Sequence, residues 1–416
     1  MEKLEVFGVN KLKGHIKISG SKNAALPILA ATLLSNKKVH LSNLPKVKDI
    51  ETMLLLLKSL GAEVKDLKNK KVVTIKKKKF FASYNLVKTM RAGILVLGPL
   101  LSRYRIAKVS LPGGCAIGSR PIDIHLKSLS KLGVIYKIKE GYVYAEAPKG
   151  LIGAKIKFSK ISVGATENLI IAASLAKGIT ILKNCAIEPE IKDLVNFLNL
   201  MGCKINWIGK RTVKIIGVKE LKETSYKIMF DRIEAGTYLI ASALLEGNVK
   251  ISGVNPRIIK TEISTLKKIG AKIKIKDNDI FIKGNKNIRS VNIDTTPYPG
   301  FPTDLQAQIM VLLCKANKKS VIKEKIFENR FMHVAELNRM GAKIEIKNNS
   351  AIVNGNIIFQ SAELMATDLR ASASLVLAAM SSKGKSVINR IYHLDRGYEQ
   401  IEKKLRKIGV KIRRIN

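Results

Sequence analysis

The sequence is poor in aromatic residues and in cysteine. Aromatic residues make up 5% of the 416 positions, and Trp207 is the single tryptophan. Proteins that bind single-stranded nucleic acid place stacking aromatics among basic side chains, so this scarcity argues against that class. The four cysteines form no CxxC pair, and the five histidines are scattered, so no metal-binding motif is predicted.

Long apolar runs are missing as well. No run approaches the ~20 residues that a helix needs to cross a bilayer. Residues 1–14 lack the apolar core of a signal peptide. Cysteines without a pairing pattern suit a reducing compartment. These features predict a soluble cytoplasmic protein that does not insert into membranes.

Acidic residues are outnumbered by basic ones, 32 to 75, which gives a formal net charge of +43. The lysines are spread along the whole chain, as at 76–79 and 403–404. Dispersed charge of this kind is typical of solvated surfaces, and we interpret it so rather than as a specific nucleic-acid surface. The excess should still attract small anionic ligands.

A short phrase, an apolar residue followed by glycine and a small or apolar residue, recurs six times after an amphipathic stretch. The glycines are Gly61, Gly133, Gly202, Gly270, Gly341 and Gly409. Their spacing of ~70 residues indicates a structural repeat. Each glycine is predicted to end a helix.

Each repeat alternates helical and strand-like periodicity, which predicts an α/β unit. Six units divide into three plus three, and the opening strand within residues 2–18 is left over to complete the second half. Two similar halves predict a ligand site in a cleft between them. The alternative is a solenoid without a catalytic cleft.

Residues 111–121, Leu-Pro-Gly-Gly-Cys-Ala-Ile-Gly-Ser-Arg-Pro, stand out as a candidate reactive loop. Three glycines and two prolines argue against a regular helix or central strand. Arg120 can tune the pKa of the Cys115 thiol, which could then act as a nucleophile or as a proton donor. A buried structural cysteine is the alternative, and the glycine-rich context disfavours it.

Basic and acidic side chains recur at the predicted starts of helices. A helix N-terminus attracts anions, and Lys or Arg beside it makes a phosphate or carboxylate site. The candidates are Ser21-Lys22-Asn23, Arg91 before a helix at 92–101, Asp368 with Arg370 and Ser372, and Asp395-Arg396-Gly397 opening the last helix. Asp304 and Glu188-Pro189-Glu190 are either helix caps or groups for proton chemistry.

Seven motifs together carry a resemblance to one family. They are Ser21-Lys22-Asn23-Ala24-Ala25-Leu26-Pro27, residues 111–121 with Asp123 and His125, Ser162-Val163-Gly164-Ala165-Thr166, Phe301-Pro302-Thr303-Asp304, residues 327–333, residues 366–372, and Asp395-Arg396-Gly397-Tyr398. With these motifs the chain resembles the UDP-N-acetylglucosamine 1-carboxyvinyltransferases, the enolpyruvyl transferases of peptidoglycan synthesis. The resemblance covers essentially the whole sequence.

The resemblance implies an α/β fold with two similar domains, each an inside-out α/β barrel of three repeated βαβαββ-like units. It implies that residues 22–229 form the first domain and that residues 1–21 plus 230–416 form the second. The active site would lie in the cleft between the domains, and the Cys115 loop would close over the ligands there.

The implied reaction transfers the enolpyruvyl group of phosphoenolpyruvate to the 3′-hydroxyl of UDP-N-acetylglucosamine and releases phosphate, without a cofactor. Cys115 would protonate the methylene carbon of phosphoenolpyruvate and could form a covalent adduct with it. Asp304 would accept or position the proton of the hydroxyl. For the remaining phosphoenolpyruvate site, the resemblance implies phosphate binding by Lys22, Arg120 and Arg396, carboxylate binding by Arg330 and Arg370, and a hydrogen bond from Asn23 to the intermediate.

The resemblance also implies a set of positions that bind the sugar nucleotide. They are Arg91, Arg120, Pro121, Ile122, Asp123, Ile124, Lys160, Ile161, Ser162, Val163, Asp304 and Ile326. A related transferase that uses shikimate 3-phosphate is the nearest alternative, and the cysteine loop with residues 160–164 favours the sugar nucleotide. Some relatives carry Asp at the Cys115 position. Because this chain keeps Cys, sensitivity to the thiol-alkylating phosphoenolpyruvate mimic fosfomycin is predicted.

Overall fold

The computed structural model describes residues 2–68, 70–113 and 122–416. The described residues form two compact units, each with its own hydrophobic core. Unit I comprises the described residues 20–113 and 122–229 except residue 69, and unit II combines residues 2–19 with Phe230–Asn416. No helix in the described part of the chain is long and apolar enough to cross a membrane.

The helices of unit I are α1 (Lys22–Ala31), α2 (Lys48–Ser59), α3 (Tyr84–Val87), α4 (Leu97–Tyr104), α5 (Asp123–Ser130), α6 (Val163–Ala173) and α7 (Pro189–Leu200). Those of unit II are α8 (Arg232–Leu244), α9 (Lys260–Ile269), α10 (Gln306–Cys314), α11 (Val334–Arg339), α12 (Leu369–Met380), α13 (Tyr392–Asp395) and α14 (Ile401–Arg406). Short 3-10 helices cover Thr32–Leu34, Arg91–Val96 and Thr303–Leu305.

The strands of unit I are β3 (Val39–Ser42), β4 (Ala62–Leu67), β5 (Lys70–Ile75), β6 (Phe81–Ala82), β7 (Ile106–Ser110), β8 (Ile135–Lys139), β9 (Tyr142–Glu146), β10 (Lys155–Lys157), β11 (Ile179–Lys183), β12 (Lys204–Gly209), β13 (Thr212–Ile216) and β14 (Thr224–Lys227). Those of unit II are β1 (Lys3–Phe7), β2 (Lys13–Lys17), β15 (Asn248–Ser252), β16 (Lys272–Lys276), β17 (Asp279–Lys283), β18 (Ile293–Asp294), β19 (Ser320–Lys323), β20 (Ile344–Lys347), β21 (Ser350–Val353), β22 (Glu363–Met365), β23 (Lys385–Asn389) and β24 (Ile412–Ile415).

Among the described residues these strands form six four-stranded sheets, three in each unit, all with the same pattern of pairing. In unit I the strand orders are β14-β3-β5-β4, β6-β7-β9-β8 and β10-β11-β13-β12; in unit II they are β2-β15-β17-β16, β18-β19-β21-β20 and β22-β23-β1-β24. In every sheet the first pair is parallel and the next two pairs are antiparallel. The predicted α/β fold of six repeated units is confirmed.

Each unit closes on itself, because strands distant in sequence pair with each other. β14, the last strand of unit I, pairs in parallel with β3, the first. In unit II, β1 lies between β23 and β24, and β2 pairs with β15. A solenoid stacks each repeat only on its sequence neighbours, so the solenoid alternative is wrong.

The centre of each unit is helical. Nearly every residue of α1 and α6 in unit I and of α8, α10 and α12 in unit II is buried. Away from their first turns these helices are mostly apolar, as expected for helices surrounded by protein. By contrast, α2, α7 and α9 carry exposed residues along one face. This arrangement of central helices inside three sheets matches the inside-out description.

The six repeat glycines have φ angles between 90° and 119°, so the predicted helix-ending role is confirmed. In this left-handed region a residue with a Cβ is strained. At Gly409, a Cβ would meet nothing within 4 Å, so only the backbone opposes substitution. We therefore expect Gly409→Ala to destabilise unit II by ~1 kcal/mol, a fall in Tm of ~2–4 °C.

Thermal unfolding measures this prediction, with Gly409→Asn as the matched control. Asparagine tolerates the left-handed conformation better than alanine and should cost less. A Gly409→Ala protein as stable as the unsubstituted chain would contradict the assignment.

Two predicted helix boundaries are wrong. The segment at 92–101 is a 3-10 helix followed by α4, and Arg91 is its first residue rather than the residue before it. Arg396 follows the end of α13, and the last helix, α14, begins at Ile401. Asp395 is the last residue of α13 rather than the cap of α14, and its two carboxylate oxygens accept hydrogen bonds from Arg414, at 2.5 and 2.9 Å.

Candidate functional site

Lys22 lies at the start of α1, in unit I. Its N-cap, Ser21, accepts a hydrogen bond from the backbone N–H of Ala24. The Lys22 side chain is 11% exposed and its Nζ lies 3.0 Å from Oδ2 of Asp49, in the first turn of α2. A buried ammonium beside a single carboxylate keeps donors for a further anion. Asn23, the next residue of the helix, is half-buried.

The start of α5 brings Ile122, Asp123 and Ile124 to the edge of the unit I core. Ile122 and Ile124 are buried. Asp123 is the first residue of the helix, and its Oδ2 lies 3.7 Å from Nζ of Lys127. Within the described residues, its buried Oδ1 has no hydrogen-bond partner. A free carboxylate oxygen at this place is an acceptor for a ligand N–H.

The start of α6 brings Lys160, Ile161, Ser162 and Val163 together. Ser162 is the N-cap, and its Oγ accepts a hydrogen bond from the backbone N–H of Ala165 at 3.3 Å. Val163, the first helical residue, is 39% exposed although it is apolar. The exposed valine and the lysine before it present a mixed surface at a helix N-terminus.

These two helix starts lie close to Arg91. The ring of His125, in α5, packs against Gly164, where a Cβ would lie 3.3 Å from Cε1 of the ring. Burial, together with the positive charge of Arg91, lowers the pKa of His125 to about 4. The structure therefore groups the described sugar-nucleotide candidates of unit I.

In unit II, the carboxylate of Asp304 joins two buried arginines. Oδ1 accepts a hydrogen bond from Nη2 of Arg330 at 2.8 Å, and Oδ2 accepts one from Nη2 of Arg370 at 2.9 Å. The two arginine side chains are 4% and 5% exposed, and the aspartate is 26% exposed. Asp304 lies within a 3-10 helix capped by no side chain, so its reading as a helix N-cap is wrong.

Neighbouring charged and aromatic groups hold the two arginines in place. Burial lowers the pKa of Arg370, but the carboxylate of Asp304, together with the further charges of Tyr398 and Asp231, outweighs it and raises that pKa above its ordinary value. The guanidinium of Arg370 also lies 5.5 Å from the ring centre of Tyr398, and that of Arg330 lies 5.6 Å from the ring centre of Phe327. Such fixed cations suit planar recognition of a carboxylate.

Buried polar groups fix the segments on either side of Asp304. Nε2 of Gln308 lies 3.1 Å from the backbone carbonyl of Asp304 and 3.1 Å from the hydroxyl of Tyr398. Glu324 accepts hydrogen bonds from the Thr303 hydroxyl, at 2.9 Å, and from the backbone N–H of Ile326, at 2.8 Å. The Glu324 carboxylate thus links Ile326 to Thr303, the residue before Asp304.

Two further candidates of unit II lie at helix ends: Asp368 precedes α12, and Arg396 follows α13. Asp368 is the N-cap of α12, and its Oδ1 accepts from the backbone N–H groups of Arg370 and Ala371. This cap places Arg370 in the first turn, as the sequence predicts. Arg396 is half-buried at the end of α13, where a helix dipole favours a cation.

Three of the four cysteines are buried, free thiols: Cys185, Cys203 and Cys314. Burial raises the pKa of Cys203 to about 11 and those of Cys185 and Cys314 to about 12. A protonated thiol is a poor nucleophile, so these three are unreactive. Cys115, Arg120 and Pro121 lie outside the described residues.

Sequence reasoning missed the partners of the charged candidates. Asp49 lies 27 positions from Lys22, and Glu324 lies 21 from Thr303, with no motif to link either pair. It also left Glu188 open as a cap: Glu188 is the N-cap residue of α7, but its side chain makes no capping hydrogen bond and is buried near Glu167 and Glu190. Burial raises the pKa of Glu167, and the negative charges of Glu190 and Glu188 raise it further.

Comparisons with known proteins agree with these motifs. Residues 6–405 match the family described as EPSP synthase (3-phosphoshikimate 1-carboxyvinyltransferase). The chain is 73% identical over 417 residues to the UDP-N-acetylglucosamine 1-carboxyvinyltransferase of Pelagibacter ubique, with all of both chains covered. It is 52% identical to the protein of that name from Geotalea daltonii, again over all of both chains.

Solved structures show the same fold at low sequence identity. The enolpyruvyl transferase NikO from Streptomyces tendae superposes with a TM-score of 0.89 at 23% identity, covering 99% of this chain and 98% of that one. An EPSP synthase from Acinetobacter baumannii gives a TM-score of 0.78 at 16% identity over the full length of both. Since the family match spans nearly the whole sequence and full-length relatives share half to three quarters of its residues, the chain belongs to the UDP-N-acetylglucosamine 1-carboxyvinyltransferases within the EPSP synthase family.

Proposed function

We propose that the protein transfers the enolpyruvyl group of phosphoenolpyruvate to the 3′-hydroxyl of UDP-N-acetylglucosamine and releases phosphate, a step of peptidoglycan synthesis. The observation that carries the proposal is the Asp304 carboxylate between Arg330 and Arg370. Nη1 of Arg370 is buried and has no hydrogen-bond partner among the described residues. One group can therefore accept a hydroxyl proton while the adjacent cation keeps a free donor for a substrate carboxylate.

The reaction proceeds by addition and elimination. In the addition, the sugar oxygen bonds to C2 of phosphoenolpyruvate, its proton goes to Asp304, and Cys115 protonates the methylene carbon C3. In the elimination, C3 loses a proton and the bond from C2 to the phosphate oxygen breaks. Positive charge develops at C2 during protonation, so nearby fixed carboxylates stabilise that state.

The other phosphoenolpyruvate residues supply positive charge and one hydrogen bond. Lys22, Arg120 and Arg396 bind the phosphate, and Asn23 hydrogen-bonds the tetrahedral intermediate. The Lys22–Asp49 pair supports this role, because a buried lysine fixed at a helix start presents its remaining Nζ hydrogens in a defined direction. No cofactor takes part, and covalent capture of phosphoenolpyruvate on Cys115 is a side reaction of the same thiol.

The sugar nucleotide binds to the helix starts of unit I, together with Arg120, Pro121, Asp304 and Ile326. The unpartnered Oδ1 of Asp123 supports this assignment, since the imide N–H of a uracil ring is a donor of the required kind. Arg91 and Lys160 supply charge for the diphosphate. We further propose that the enzyme acts in the cytoplasm and binds neither nucleic acid nor membrane, in keeping with its buried free thiols.

Phosphate release tests the proposal. The protein is mixed with phosphoenolpyruvate and either UDP-N-acetylglucosamine or shikimate 3-phosphate, and inorganic phosphate is measured. We expect release with the sugar nucleotide and none above background with shikimate 3-phosphate. Release with the shikimate substrate alone, or with neither acceptor, would refute the proposed function.

A further inference from the structure

One buried amide side chain in unit I, that of Asn168 in α6, connects three other segments. Its Oδ1 accepts a hydrogen bond from the backbone N–H of Gly98, at the start of α4, at 2.8 Å. Its Nδ2 donates to the carbonyl of Ile94, in the 3-10 helix that Arg91 begins, at 3.3 Å. The same Nδ2 donates to Nδ1 of His125, in α5, at 3.1 Å.

The position of Asn168 requires an amide side chain, and the neighbouring segments must approach that side chain closely. Asn168 has an exposed fraction of 0%, so every polar atom of its amide needs a partner in the protein. Gly98 allows the contact, because a Cβ there would lie 2.2 Å from Oδ1 of Asn168. The amide therefore forms hydrogen bonds with groups on three segments and links these segments at one buried point.

The bond to His125 also fixes the state of the imidazole ring. Because Nδ2 of Asn168 is a donor, Nδ1 of the ring is the acceptor and Nε2 carries the hydrogen. The other edge of the ring packs against Gly164, next to Val163 at the start of α6. The ring therefore lies between α5, which begins with Asp123, and the start of α6, which Lys160 and Ser162 precede.

We propose that Asn168 is a positioning residue for the sugar nucleotide. It sets the mutual placement of the Arg91 segment, the start of α5 and the start of α6, and so pre-forms their binding surface. It contacts no reacting atom itself. The inference rests on the proposed function, because these three segments matter together only if they bind the same ligand.

The competing explanation is that Asn168 stabilises unit I without any bearing on ligand binding. Asn199, an exposed residue of α7 in the same unit, provides a control that makes the same kind of amide–backbone bonds. Its side chain bonds both the carbonyl and the N–H of Ile205, at 2.9 and 3.0 Å, and neither bond involves a candidate segment. Replacing either asparagine by alanine removes backbone-directed amide bonds from unit I.

Calorimetric titration with UDP-N-acetylglucosamine and steady-state kinetics separate the two explanations. We expect Asn168→Ala to raise the Kd and the KM for the sugar nucleotide by about tenfold or more, with the KM for phosphoenolpyruvate changed by less than about threefold. Asn199→Ala should lower Tm but leave the Kd within about twofold. Equal effects of the two variants on Kd would overturn the inference.

A second variant, Asn168→Asp, keeps the acceptor for Gly98 but turns the donor beside His125 into a carboxylate. The negative charge should raise the pKa of His125 from about 4, so that the ring gains a proton as pH falls. Affinity for the sugar nucleotide should then depend on pH between about 5 and 8, unlike that of the unsubstituted protein.

A pH-independent Kd for Asn168→Asp would also overturn the inference, even if Asn168→Ala does not fold. The unsubstituted protein distinguishes this outcome from failure of the proposed function. If it does not bind UDP-N-acetylglucosamine in the same titration, the function itself is wrong. If it binds but the variants behave like the control, only the role of Asn168 is wrong.

Discussion

Asp304→Asn is expected to lower kcat by about 10²–10⁴-fold, the range that a well-placed general base contributes. The amide keeps the shape of the side chain but cannot accept a proton from the sugar hydroxyl. It also leaves Arg330 and Arg370, both almost fully buried, without the negative charge that now lies 2.8 and 2.9 Å from them. Steady-state kinetics with phosphate detection measures the loss.

Loss of the paired charge could act through folding, so a charge-preserving variant is needed. Asp304→Glu retains a carboxylate that can reach the two arginines, while it moves the oxygens by about one methylene from where the hydroxyl must lie. We expect it to keep most of the Tm that Asp304→Asn loses, yet to lose a large part of kcat. A kcat within about threefold of the unsubstituted protein in Asp304→Asn would remove Asp304 from the proton-accepting role.

The fold could be predicted largely because its signals are local. Six glycines with helix-ending φ angles mark the repeats, and each can be recognised from its immediate neighbours. The burial of helices such as α10 and α12 can be predicted from their apolar composition alone. Where local signals compete, prediction failed: Asp395 resembles a helix N-cap, but its carboxylate accepts hydrogen bonds from the guanidinium of Arg414, 19 positions further along the chain.

The individual residues of the site could be predicted from the sequence, but the contacts between them could not. The motifs name Asp304, Arg330 and Arg370, yet the two arginines lie 26 and 66 positions from Asp304, and only the folded unit shows that one carboxylate serves both. The same holds for Lys22 with Asp49. Asn168 carries no charge and belongs to no recognised binding position, so its role becomes visible only through the three segments that its amide joins.

Cys115 is expected to be the one thiol on which turnover and fosfomycin inhibition depend. Cys115→Ser should lower kcat by about 10²-fold or more, because a serine hydroxyl is a far weaker acid than a thiol. Circular dichroism should show that the fold survives. Unchanged turnover in this variant would exclude Cys115 as the proton donor.

Fosfomycin labelling, followed by intact mass measurement, should give a single adduct per chain. The thiols of Cys185, Cys203 and Cys314 are buried, and burial raises their pKa values to between about 11 and about 12, so they should not compete. Cys115→Ser should give no adduct, whereas the control Cys314→Ser should label like the unsubstituted protein. Cys115→Asp should retain turnover and resist fosfomycin, because a carboxylic acid can donate the proton but is not alkylated as a thiolate is. Labelling that persists in Cys115→Ser would place the reactive thiol elsewhere.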